Sequence, residues 1–176
     1  MKIFRLFAAL AFLSSAIACG GSAVDEENLD DVKFSASEPT TWVSMAQKAA
    51  VSYAHDSSLM HIDGSIGPTD GFIWKFTFAD WSAGNWVTVA CDGKSAHVVE
   101  HHHVTAEPMG SAVIQMSKVK VNFTKLMKIA GANGLSGRLL SVDLSEALTV
   151  DMHPHWYVNQ GGHELAIDAN TGALFK

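Results

Sequence analysis

The sequence predicts an α+β fold built of two tandem units, each a helix packed on a small antiparallel sheet. Three observations carry the prediction. Two stretches repeat apolar residues at three- and four-residue steps: Trp42, Met45, Ala46, Ala49 and Tyr53, then Phe123, Leu126, Met127 and Ala130. Each is followed by short alternating segments bounded by Gly, Asn and Asp, the signature of antiparallel strands joined by tight turns. One order also occurs in both halves: amphipathic helix, variable strand, Trp-bearing strand, turn, strand, Gly turn, apolar exit. One helix and three strands bury little apolar surface, so two such units packed together reach a stable core more easily than one.

The units do not begin at residue 1. Lys2 and Arg5 precede an apolar run from Leu6 to Leu13, and Ser14-Ser15-Ala16-Ile17-Ala18 then brings small residues up to Cys19. That run is shorter than the ~20 residues needed to span a bilayer, so residues 1–18 read as a removed signal peptide. Two cleavage readings fit. Ala16-x-Ala18 suits ordinary signal peptidase, and small residues running into Cys19 resemble a bacterial lipobox, in which the cysteine is lipidated. The second is favoured, because the following Gly20-Gly21-Ser22-Ala23 and Asp25-Glu26-Glu27-Asn28-Leu29-Asp30-Asp31 read as a tether over residues 19–36. An acylated Cys19 attaches the protein to a membrane without spanning it. Losing residues 1–18 removes Lys2 and Arg5 and no acid, so the basic residues fall from 12 to 10 against 18 acidic ones, a net charge of −8. That balance disfavours both nucleic acid and an anionic membrane surface as partners, and it leaves the lipid anchor as the only expected means of membrane attachment. With Cys19 acylated, Cys91 has no disulfide partner and reads as a small buried hydrophobe.

The first unit spans residues 37–110. Ser37-Glu38-Pro39 is a helix-start signal, with Ser37 at the cap. Leu59 to Ile66 reads as an edge strand or extended link. Trp74, Phe76 and Phe78, alternating with Lys75 and Thr77, form a half-buried strand, and Trp86 to Cys91 the next. Asp92-Gly93 reads as a two-residue hairpin turn into Lys94 to Val99, which runs on into Glu100-His101-His102-His103. The second unit spans 111–176. Asn122 caps its helix and Asn133-Gly134 stops it, Leu139 to Leu144 gives a strand, and a hairpin follows. There Trp156 and Val158 share one face, Asn159-Gln160-Gly161-Gly162 is the turn, and Leu165 and Ile167 share one face of the returning strand.

The last segment closes on Asp168-Ala169-Asn170-Thr171-Gly172 and an apolar exit through Leu174. With Trp156 and Val158 before it, this ending resembles that of a PepSY domain, whose strand pair closes on an Asp-Ala-x-Thr-Gly-x-hydrophobic signature. The resemblance covers about residues 38–176, and in the first half Asp92-Gly93-Lys94 stands in place of the full signature. It implies two tandem PepSY-like units. It also implies a binding module of the cell envelope that restrains a secreted or envelope peptidase and is not itself an enzyme. Strand addition offers the physical route, with an exposed sheet edge pairing an extended peptide.

The chemistry-bearing candidates are histidines. His97, His101 and His103 fall on one face of an ideal extended strand, and His153 and His155 sit at the mouth of the final hairpin. Neutral imidazoles converging from two strands would suit zinc or copper, which makes a metal-handling envelope protein the alternative reading. The tight ligand spacings of structural zinc sites and the H-E-x-x-H helix are absent, as are a G-x-S-x-G elbow and a P-loop. Asp168 reads as a turn former. Trp42, Trp74, Trp86 and Trp156 read as core, and Trp81 as an exposed functional candidate.

Overall fold

A computed structural model describes residues 38–66, 72–103, 112–135, 141–146 and 153–175. Residue 19 and the tether lie outside these residues, as do Ser37, Leu139 and Leu140. A 3-10 turn at Pro39–Trp42 leads directly into α1, Val43–Ala50, and a meander of four strands follows: β1 (Ser58–Ile66), β2 (Phe72–Asp80), β3 (Asn85–Cys91) and β4 (Ala96–His103). A second 3-10 turn at Met116–Lys118 precedes α2, Phe123–Ala132. Then come β5 (Ser141–Glu146), β6 (Pro154–Gln160), β7 (His163–Asp168) and the two-residue β8 (Leu174–Phe175). All eight strands join one antiparallel sheet in the order β4-β3-β2-β1-β5-β6-β7-β8. The fold is α+β and mostly sheet.

The register explains which residues form the core. Ile62 faces Phe76 on β2 and Leu144 on β5, Phe76 faces Val89, and Leu144 faces Trp156, which faces Ile167. Cross-strand partners share a face, so this row and its neighbours make one apolar surface. Both helices cover that surface and form with it a single buried cluster. α1 contributes Ala46 and Ala50, and α2 contributes Phe123, Leu126 and Ala130, with Phe123 meeting Trp74 edge-on at 5.2 Å. Asn122 caps α2 by accepting from the Lys125 N–H at 2.9 Å, and Trp156 Nε1 donates to the Val121 carbonyl at 2.8 Å.

Several expectations need correction. β1 is not an edge strand but the centre of the sheet. It carries His61 and Asp63 on its open side, and such polar alternation in a central strand imitates an edge. The β3–β4 connection has four residues rather than two, because Cys91 pairs with Ala96 and the Asp92 N–H donates to the Ser95 carbonyl. α1 ends at Ala50, so Tyr53 leaves the apolar stripe, stands 44 % exposed and stacks on His101 at 4.4 Å. Trp86 lies on the open sheet face, not in the core: its strand partners are Ala79 and His102, and Trp81 meets it edge-on at 5.5 Å. Pro39 does open the 3-10 turn with Glu38 at its cap position, yet the Glu38 carboxylate serves the other helix. Its oxygens accept from the Phe123 N–H at 2.6 Å, the Thr124 N–H at 3.1 Å and the Thr124 hydroxyl at 2.8 Å. Those amides are otherwise orphaned at the start of α2, where the helix dipole also favours a carboxylate.

Candidate functional site

The two turns that close β3–β4 and β7–β8 are built alike. Asp92 Oδ1 accepts from the N–H groups of Lys94 at 2.9 Å and Ser95 at 2.7 Å. Asp168 Oδ1 accepts from those of Asn170 at 2.8 Å and Thr171 at 2.6 Å. Hydrogen bonds from the Ser95 and Lys94 amides hold the Asp92 carboxyl below its ordinary range. Each turn carries a glycine with positive φ against a helix: Gly93 (φ 81) lies under the Trp42 ring and Gly172 (φ 85) beside Ile129. The remaining signature residues serve the same junction. The Ala169 carbonyl accepts from the N–H groups of Lys120 and Val121, and Thr171 Oγ1 accepts from the Ala173 N–H. Trp156 and Val158 are fully buried. Ala169 therefore ties the last strands to the segment leading into α2 and Gly172 packs against that helix, while Asp168 and Thr171 hold the turn itself.

The histidines are dispersed. The β3–β4 register shifts between Thr88 and Val89, so that Glu100 faces Thr88 and Val98 faces Val89, leaving Val99 as the extra residue of a bulge. The bulge reverses the alternation. His101 and His103, opposite Val87 and Asn85, point to the helix side, where His103 Nδ1 meets Asn85 Oδ1 at 3.2 Å. His97, opposite Ala90, points to the open side and lines a groove of about 590 Å³ with Ile73, Lys75, Val99 and Glu100. His155 is buried in β6, five strands away, with its ring 4.7 Å from Phe175, and His153 is exposed just before it. The expected single-face set His97, His101, His103 is thus split between two faces and remote from His153 and His155. Among the described residues no three His, Cys, Asp or Glu side chains come together as metal ligands. Cys91 is buried beside Met45 Sδ at 3.8 Å, and burial pushes its thiol up.

A polar cluster lies where the sequence does not advertise one, at the centre of the open face. Lys75, Asp63, Asp143 and Tyr157 form one cross-strand row, and Thr77, His61, Ser145 and His155 the next. His61 Nε2 is hydrogen-bonded to Asp143 Oδ2 across the β1–β5 pair. Burial disfavours the charged imidazole, but the Asp143 hydrogen bond and the charges of Asp143 and Asp63 outweigh it and raise the His61 pKa above its ordinary value. Asp63 is also raised, first by burial and then by the facing Asp143, against the pull of His61 and Lys75. The 82 residues separating His61 from Asp143 hide this pair from local reading. Its only trace is a charged residue set between buried ones, as in Ile62-Asp63 and Val142-Asp143-Leu144. The cross-strand neighbours of His61 that carry hydroxyl groups are Thr77 on β2 and Ser145 on β5.

The second exposed feature is the outer side of β4. All its residues but Val99 pair with β3, none pairs with another strand among the described residues, and those from Val99 to His103 are exposed. No helix among the described residues is long and apolar enough to cross a membrane.

No protein-family model matches the chain, and neither does any curated protein. Among solved structures the fold is similar to a protein described as a "putative lipoprotein" from Clostridium difficile 630, with a TM-score of 0.54 and 13% sequence identity. The match covers 69% of this chain and 82% of that one. At that identity the likeness shows the fold alone.

Proposed function

We propose that this chain is an exported envelope protein, held to the membrane by acylated Cys19. In this reading two PepSY-like units are fused through β1 and β5, and they bind a partner without catalysing a reaction. The signal-like residues 1–18, the cysteine after them and a fold shared with a protein described as a lipoprotein support the location. One observation carries the binding reading: β4 offers eight residues of sheet edge with no strand beside it among the described residues. Backbone N–H and C=O groups on such an edge accept an extended segment in register, and the alternating side chains set selectivity. The partner class implied by the PepSY resemblance is a secreted or envelope peptidase, here acted on in trans.

The test adds the mature chain in micromolar excess to thermolysin-type and co-secreted peptidases, following peptide hydrolysis and amide hydrogen exchange together. Inhibition should coincide with slowed exchange in β4. No inhibition and no β4 protection with any of them would overturn the reading.

A further inference from the structure

Charge is unevenly spread: although the chain is acidic overall, the helix side carries a local cluster of lysines, with the carboxylates of Glu38 and Asp168 beside it. On the open sheet face the register places Asp63, Asp143, Glu100 and Glu164 with Lys75 as their cationic neighbour. The helix side differs. From Pro108 to Val142 the sequence has no acidic residue and carries Lys118, Lys120, Lys125, Lys128 and Arg138. Lys120, Lys125 and Lys128 are exposed along α2 and its approach, and Lys48 is exposed on α1, which also lacks acids.

The point where the chain arrives from its amino-terminal end lies on the helix side, within the tether's reach of the lipid. Glu38 is bonded to the Phe123 and Thr124 amides, so the chain joins the fold at the first turn of α2, next to Lys125. Cys19 and Glu38 are 19 residues apart, a span of at most about 65 Å. The basic surface therefore adjoins the attachment point, and the acidic sheet lies on the far side of the helix layer.

We propose that Lys120, Lys125 and Lys128 rest against the anionic phospholipid surface that holds the anchor, so that the open sheet face and the β4 edge are turned away from the bilayer. This rests on the lipid-anchored reading above. It supplies what an acyl group alone does not, a fixed orientation, and adds a second attachment signal of the polybasic kind. The competing anionic occupant is in the same chain, at Asp25, Glu26, Glu27, Asp30 and Asp31.

The experiment uses the mature chain from residue 19 carrying Cys19→Ser, so that no acyl group contributes, sedimented with vesicles. Phosphatidylcholine vesicles are compared with mixed phosphatidylcholine–phosphatidylglycerol vesicles. Binding is expected only to the mixed vesicles and should fade as salt is raised. Each lysine replaced by glutamine should weaken it about fivefold, so K120Q/K125Q/K128Q should lose about a hundredfold while keeping its circular dichroism spectrum. Lys75→Gln makes the same change in net charge on the opposite face and should leave binding intact. Equal binding to both vesicle types, an unaffected triple variant, or an equal loss with Lys75→Gln would overturn the proposal. So would binding that emerges only after the five tether carboxylates are neutralised, since the lysines would then belong to that segment. The mass of the native amino-terminal peptide reads the acylation of Cys19 separately and does not depend on the lysines.

Discussion

Glu38→Ala should cost far more than an ordinary half-exposed glutamate. The carboxylate accepts three hydrogen bonds, from the Phe123 N–H at 2.6 Å, the Thr124 N–H at 3.1 Å and the Thr124 hydroxyl at 2.8 Å. Loss of a helix cap costs about 1 kcal/mol, and a hydrogen bond to a charged group is worth about 1.5–3 kcal/mol in favourable settings. Water reaches this site, and Asn122 still caps the Lys125 amide, so the lower end applies: about 2 kcal/mol. For a domain of this size that corresponds to a fall in Tm of about 6 °C. Urea unfolding should show the midpoint moving with the slope unchanged. Glu38→Gln keeps an acceptor and loses the charge opposite the helix terminus, so it should cost about half as much, with the gap to wild type narrowing in high salt. A double-mutant cycle with Thr124→Ala should give a coupling of about 0.5–1 kcal/mol. A Glu38→Ala chain within about 0.5 kcal/mol of wild type would refute the view that this side chain secures α2.

Stability should also depend on pH through the central cluster. The folded state raises the His61 pKa, so its contribution is complete below about pH 6.5 and is lost as pH climbs through the higher folded value. Asp63, raised as well, favours the folded state while protonated and acts in the same direction at lower pH. Unfolding free energy should therefore fall as pH rises above about 6.5, and Asp143→Asn should flatten the decline; a native profile without slope would refute this. Gly93→Ala meets both a positive φ and the Trp42 ring, 2.4 Å from where its Cβ would sit, and should cost about 2–4 kcal/mol. Gly172→Ala meets a positive φ as well, but against the movable end of Ile129 at 3.0 Å, and should cost about 1–2 kcal/mol, an order that thermal melts would reverse if the ring moved freely. Trp156→Phe strands the buried Val121 carbonyl and should cost about 2–4 kcal/mol in denaturant titrations.

What the sequence made legible was local. Trp74, Phe76 and Phe78 alternate because one side of their strand is dry, Asn122 caps the helix that begins after it, and the glycines of the final hairpin mark its turn. Each signal is written within a few residues of its effect. What escaped reading is written across long separations or in one displaced residue. Glu38 finds its helix 85 residues downstream, and His61 meets Asp143 across two halves of the chain. The bulge at Val99 inverts the phase of the histidines after it, and composition does not report a bulge. β1 reads as marginal because its open side is charged, although strands on both sides pair with it.

The pairing of β1 with β5 bears on how far such a sheet can grow. Two separate meanders of this kind would present four borders, each able to recruit a neighbour. Joining them back to back removes two, and β8, only two residues long, leaves little for another molecule to grip. Among the described residues β4 is the longer open border, and His163 to Leu165 of β7, beyond the reach of β8, are a shorter one. Linear stacking into fibres needs matching acceptors at both ends of every subunit, and the two ends here are unequal. Borders of such unequal length make the molecule a poor repeating unit for a sheet that would grow from copy to copy.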